Sequence, residues 1–357
     1  MRESVFQYNI SHPDRNQSNE IKKEIHSSIM QNEYIKTWPD IMKGKKILYV
    51  HGFASSGQSG TVTLLRTLLP SATVIAPDIP IHPAEAMDML HSVCNDEHPD
   101  LIIGTSMGGM MAEMLYGYDR ITVNPAFQMG DTMASHGMVG KLTFQNPRRD
   151  GVQEMVITKA IVKEYRQLTE QCFSQAADDA GRVFGLFGDN DDVVHTLDIF
   201  REHYPDAISF HGGHRLVDNV VRSALIPVVR WIDDRQDARQ REIVYIDYDA
   251  LHDSYGQATP SMRKAIYALL DTYDIRFVAK APAYDVAYYK DVLGWLSEYV
   301  NVPAYGHTIF TNTPETLYGD FYISPTPPAS SMATAIEYGS EQFKTWEEVI
   351  TFFSRLG

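Results

Sequence analysis

The chain is poor in cysteine, with only Cys94 and Cys172 among its 357 residues. Neither has a C-x-x-C or histidine-rich neighbourhood, which excludes a disulfide scaffold and a thiolate metal site. Both fall in stretches with helical patterning and are expected as buried, reduced thiols, which fits a reducing, cytoplasmic setting. No apolar run reaches 18 residues, so no membrane-spanning helix is expected. Residues 1–40 mix Arg, Asp, Asn, Gln, Lys and Glu without an apolar block, unlike a secretory signal. Basic residues are also in deficit: 31 Lys and Arg stand against 46 Asp and Glu, a net charge of −15. That deficit argues against nucleic acid or an anionic membrane surface as a partner. Internal repeats and low-complexity tracts are absent.

From residue 46 onward, short apolar runs alternate with amphipathic stretches. Strands are expected at 46–50, 73–77, 101–104, 121–123, 182–187 and 207–210. Helices are expected at 60–69, 84–93, 156–173, 194–203 and 216–231. Continuous apolar strands alternating with helices predict an α/β class, with a parallel sheet covered on both faces. The charged stretch Asp233–Glu242 separates this region from a second pattern. There, strands at 243–247, 275–279, 308–311 and 320–323 alternate with helices at 260–273, 284–299 and 344–355. The expected organisation is therefore an extension over 1–44, a larger α/β domain over 45–235 and a smaller Rossmann-like α/β domain over 243–357. Within the extension, Glu20–Ile35 has partial helical character.

Residues 103–109 read Ile-Gly-Thr-Ser-Met-Gly-Gly, a G-x-S-x-G run entered from an apolar strand and leaving into a helix. A strand, a one-residue turn and a helix hold such a serine in a strained conformation with its hydroxyl exposed. A serine hydroxyl is a weak nucleophile at neutral pH and needs a base, which in turn needs an orienting acid. In α/β-hydrolases these occur in the order Ser, Asp, His. Downstream of Ser106, Gly188-Asp189-Asn190-Asp191-Asp192-Val193 follows a strand, and its G-x-x-D-x-V spacing selects Asp191. Asp189 and Asp192 are the other candidates. The next strand ends in His211-Gly212-Gly213-His214-Arg215-Leu216, which selects His214 as the base, with His211 as competitor. Oxyanion donors are expected from the backbone N–H groups of Met107 and Phe53, the latter in the loop opened by His51-Gly52. His51 lies on the wrong strand for a base and is expected to serve as a structural hydrogen-bonding residue.

The segments ILYVHGFASSGQSGTV, VIAPDIP, LIIGTSMGGMMAEML, VNPAF and GGHRL resemble the YqiA/YcfP-like esterases, a bacterial α/β-hydrolase family, over roughly 46–232. The resemblance implies a serine esterase with a compact sheet, a modest lid and no metal or other cofactor. It implies Ser106, Asp191 and His214 as the triad. The implied substrate is a small-molecule ester or thioester with a small-to-medium acyl chain. Met129, Met133, Met138, Phe144 and Met155 are expected either to line the pocket or to fill core. A homodimer is compatible with this reading.

The second domain opens on Ile243-Val-Tyr-Ile-Asp247-Tyr-Asp249, a strand ending in D-x-D. That motif, with KAPAYDVAYYKDVLGWLSEYV, HTIFTNTPETLYGDFYISPTPP and IEYGSEQFKTWEEVITFF, is similar to the haloacid-dehalogenase-type 5′(3′)-deoxyribonucleotidases. The resemblance implies an aspartyl nucleophile and Mg²⁺. However, Lys280 stands at the family's Ser/Thr, Pro314 at its lysine and Ser324-Pro325 at its metal-binding Asp-Asp. The stretch from Asp247 to Lys280 is also short for that family's cap. Asp247 and Asp249 are accordingly expected to be vestigial, in a domain that is structural, dimer-forming or pocket-shaping. The competing expectations are a Mg²⁺-dependent nucleotidase acting through Asp247, and a non-catalytic scaffold.

Overall fold

The computed structural model describes residues 36–356, so the expected helix over Glu20–Ile35 lies outside the described residues. Strands β1 (Lys46–Val50), β2 (Thr73–Ile75), β3 (Leu101–Thr105), β4 (Arg120–Val123), β7 (Val183–Gly188) and β8 (Ala207–Phe210) form one six-stranded sheet. Its order is β2-β1-β3-β4-β7-β8 and every pairing is parallel. The strands are short and rich in Ile, Leu and Val because both of their faces are covered. Ile47, Tyr49, Leu101 and Ile103 join a core on one face. Leu48, Val50 and Ile102 join a methionine-rich core on the other. All strands point the same way, so the loops after β3, β7 and β8 emerge along one edge.

A second sheet contains β9 (Ile243–Asp247), β10 (Asp274–Ala279), β11 (Thr308–Phe310), β12 (Phe321–Ser324) and β13 (Thr334–Glu337). Its order, β11-β10-β9-β12-β13, is again wholly parallel. The strand order reverses at β9, so Asp247 ends the strand at the topological switch point. Helices Met262–Leu269, Val286–Tyr299 and Trp346–Phe353 supply the larger core of this lobe.

Several local expectations are corrected. Within the expected 1–44 extension, Trp38, Ile41 and Met42 are buried in the first lobe's core. Part of the helix expected over 156–173 is strand. β6 (Glu154–Ile157) pairs antiparallel with β5 (Gly140–Thr143), and the helix starts at Lys159, capped by the Thr158 hydroxyl accepting from the Ile161 N–H. Alternating burial over Glu154–Ile157 is the period-2 signature of a half-buried hairpin. The charged stretch expected to be structure-poor from Asp233 is helical to Gln236. Cys94 lies in the helix Pro83–Glu97 as expected, but Cys172 lies in the turn after Lys159–Thr169 and is half-buried.

Residues from Trp38 to the C-terminus form one compact unit. Val302, from the second lobe, is fully buried within the first lobe's core. Around it, the Tyr305 hydroxyl donates to the Pro205 carbonyl and the Tyr267 hydroxyl to the Ser223 carbonyl. The Trp231 and His307 rings stack with centroids 4.8 Å apart. Among the described residues, no helix is long and apolar enough to cross a membrane.

Val302→Ala should cost about 2 kcal/mol, the scale for deleting buried methyl groups. In guanidinium titrations, fluorescence and circular dichroism should give one shared transition at a lower midpoint.

Candidate active site

Ser106 sits between β3 and the helix Met107–Glu113 with φ 55° and ψ −120°, a region that L-residues rarely occupy. The surrounding backbone holds it there. Its N–H donates to the Val123 carbonyl at 2.9 Å, and its carbonyl accepts from the Ala126, Gly109 and Met110 N–H groups at 2.9–3.1 Å. The glycines permit the close approach this requires. A Cβ at Gly104 would overlap the Gly108 backbone and Ala112, and one at Gly108 would overlap the carbonyls of Val50 and His51.

The structure brings three of the sequence-selected side chains into a hydrogen-bonded line. Ser106 Oγ lies 3.0 Å from His214 Nε2, and His214 Nδ1 lies 2.8 Å from Asp191 Oδ2. Asp191 follows β7 and is buried, whereas Ser106 and His214 are half-buried. Burial opposes the Asp191 charge. The His214 hydrogen bond and the Val193 and Val194 N–H groups on Oδ1 outweigh it and hold the carboxyl below its ordinary range. With Asp191 ionised, Nδ1 carries the proton and Nε2 faces the serine as an acceptor.

The competing residues are accounted for separately. Asp192 is exposed. Asp189 binds His211, with Oδ2 and Nδ1 2.6 Å apart, and so forms a different pair. Asn124, which precedes Pro125 and has φ 45°, ties the loops after β7 and β8 together. Its Oδ1 accepts from the Gly188 N–H at 2.8 Å, and its Nδ2 donates to the carbonyls of Gly213 and His214 at 3.1 and 3.2 Å. In the sequence Asn124 appears only within the VNPAF segment, and this role was not read from it. The signal available was an amide side chain, able both to donate and to accept, at the end of a central strand.

His51 is buried. Its Nε2 accepts from the Ile79 N–H at 3.0 Å, which leaves the proton on Nδ1, 2.8 Å from the Gly52 carbonyl. Burial pushes its pKa down to about 4, against the opposing Gly52 bond and Asp78 charge. The imidazole thereby fixes the loop carrying Phe53. Gly52 in that loop lies so close to the serine that a Cβ there would stand 3.3 Å from Ser106 Cβ. Met107 begins the helix after Ser106, where helix geometry leaves backbone N–H groups unpaired within the helix.

The insertion between β4 and β7 folds back onto the loop carrying Phe53 and onto the segment after β2. The Gln145 N–H donates to the Ala54 carbonyl at 2.8 Å, Ser56 Oγ to the Pro147 carbonyl at 2.6 Å, and Arg148 to the Ile79 carbonyl at 3.1 Å. Met129, Met133, Phe144 and Met155 are buried members of the core cluster, and Met138 packs against it. They fill core beneath the insertion.

At the second D-x-D, Asp247 Oδ2 accepts from Ser324 Oγ at 2.8 Å, and Oδ1 accepts from the Asp249 N–H at 3.0 Å. Lys280 Nζ is 3.2 Å from Asp249 Oδ2. Burial raises the Asp247 carboxyl above its ordinary range. A Mg²⁺ site needs converging ionised oxygens. Here one carboxylate is engaged on both oxygens and the other is paired with a cation, so the donor set does not fit that ion.

Residues 46–180 match the model of an uncharacterised protein family, UPF0227. This overlies most of the stretch carrying the YqiA/YcfP-like resemblance. Similar solved structures include a monoacylglycerol lipase from Paleococcus ferrophilus, at 17% identity and TM-score 0.40, covering 53% of this chain and 94% of that one. A structure from work on the metagenome-derived lipolytic enzymes LipS and LipT shows 16% identity and TM-score 0.41, covering 53% of this chain and 94% of that one. A thioesterase domain from the curacin pathway shows 16% identity and TM-score 0.34 over 55% and 92%.

Because the folded His51 pKa lies below its unfolded value near 6.5, its contribution to stability is complete above pH 6.5 and is lost as pH falls toward 4. Between pH 7 and 5 this linkage removes about 2 kcal/mol. Denaturant titrations at the two pH values should show that loss in the native chain and a smaller one in His51→Gln.

Proposed function

We propose that this chain is a serine esterase that hydrolyses a carboxylic ester or thioester. One observation carries the reading: Ser106, in a strained elbow, makes a continuous hydrogen-bonded line with His214 and Asp191. In this reading His214 Nε2 takes the Ser106 proton as Oγ attacks the acyl carbon. Asp191 holds the ring and offsets the imidazolium charge. The Met107 and Phe53 N–H groups receive the oxyanion. The C–O or C–S bond breaks as His214 returns the proton to the leaving alcohol or thiol. Water, deprotonated by His214, then cleaves the acyl-enzyme and regenerates Ser106. No metal or other cofactor takes part in these steps. The substrate is a small molecule, and the cytoplasmic setting expected from the reduced cysteines is part of the same proposal.

The test is steady-state hydrolysis of a p-nitrophenyl ester panel, with fluorophosphonate labelling of Ser106. Ser106→Ala should lower kcat by on the order of 10⁵-fold and abolish labelling. Asp191→Asn should lower kcat by about 10⁴-fold with little change in KM. Turnover unaffected by Ser106→Ala would remove the serine from the mechanism.

The second lobe is proposed as structural. Asp247→Asn should leave ester turnover unchanged, and Mg²⁺-supplemented assays with deoxynucleoside monophosphates should release no phosphate. Metal-dependent release abolished by Asp247→Asn would instead make Asp247 a nucleophile.

A further inference from the structure

Asp189 and His211 lie two and three residues before Asp191 and His214, on the same two loops. Asp189 bridges those loops: Oδ1 accepts from the Gly212 N–H at 3.0 Å while Oδ2 holds His211 Nδ1 at 2.6 Å. The Asn190 N–H donates to the Gly212 carbonyl at 3.0 Å, closing the bridge. The loops touch so closely that a Cβ on Gly188 would stand 2.8 Å from the Gly213 carbonyl oxygen. A displacement of one loop is therefore transmitted to the other.

The other ring nitrogen leaves the first lobe. His211 Nε2 lies 2.8 Å from the carbonyl of Glu298, in the last turn of the helix Val286–Tyr299. A carboxylate and a backbone carbonyl are both acceptors, so the ring satisfies both only when both nitrogens carry protons. The imidazolium suits its place: it has Asp189 on one side and the negative end of a helix dipole on the other. Hydrogen bonding to Asp189 correspondingly raises the His211 pKa, against partial burial.

We propose that Asp189 and His211 are positioning residues through which the second lobe holds the Asp191 and His214 loops in register with Ser106. The proposal rests on the esterase reading for its kinetic expression. Neither residue meets the ester; Asp189 acts through Asp191 and His211 through His214.

The experiment uses the full chain and compares wild type, Ser106→Ala, His211→Ala, His211→Asn and Asp189→Asn. The readouts are kcat and KM on a p-nitrophenyl ester, and proton NMR of ¹⁵N-histidine-labelled protein, with His214 assigned through His214→Asn. His211→Ala should lower kcat about tenfold with KM within about twofold, and should broaden or shift the His214 Nδ1–H resonance. His211→Asn keeps a donor toward Asp189 but not toward Glu298. It should fall with His211→Ala if the tie to the second lobe matters, and a kcat equal to wild type in His211→Asn would overturn that tie. An unchanged His214 resonance in His211→Ala would overturn the positioning role as a whole. If wild type shows no Ser106-dependent turnover, the esterase reading fails, and the NMR comparison still decides the positioning role.

Discussion

The backbone of Ser106 is the constraint on which the first lobe depends. A non-glycine residue at φ 55° and ψ −120° costs on the order of 1–3 kcal/mol and persists only where neighbours over-determine it. Here the neighbours are β4 through Val123, the following turn through Ala126, and β1 pressed against Gly108. The close approach of β1 brings Gly52 beside the serine and so sets where the Phe53 loop runs. The approach of β4 sets Asn124, which binds the loops after β7 and β8. One strained residue thus aligns four strand ends, and the proposed chemistry follows from that alignment.

Much of this was legible in the sequence because it is local. Apolar runs gave the strands, the paired glycines gave the elbow, and G-x-x-D-x-V and Gly-Gly-His marked the turns after β7 and β8. Spacing selected Asp191 while leaving Asp189 and Asp192 as candidates, and the structure pairs Asp191 and Asp189 with different histidines. What escaped was tertiary. Val156 and Ile157 of β6 were read as helix because the strand runs straight into an amphipathic helix, and burial alternation becomes visible only against a core. β13 was missed because Thr334–Glu337 is short and mostly exposed. The packing of Trp38, Ile41 and Met42 was hidden by the polar residues around them. The contact of His211 with Glu298 spans 87 residues of chain, and no local pattern encodes it.

The two sheets apply one architectural rule to different ends. Each presents polar side chains at the C-terminal ends of parallel strands, where a doubly wound sheet leaves a crevice. In the first, a hydroxyl, an imidazole and a carboxylate face one another in donor–acceptor order. In the second, Asp247 is occupied by Ser324 and its own turn, and Lys280 neutralises Asp249. The strand-end position is kept, but its charge is spent internally.

The burial of Val302 inside the neighbouring core has a consequence for the history of such chains. Once one lobe supplies a side chain to the interior of the other, deleting it leaves an apolar socket open to water rather than a clean polar surface. A lineage that dropped the second lobe would first need substitutions to refill that socket, and none of those would be favoured while the lobe remained. The join therefore acts as a ratchet: the second lobe can be retained whatever its own chemistry, because the protein beside it has grown around one of its valines.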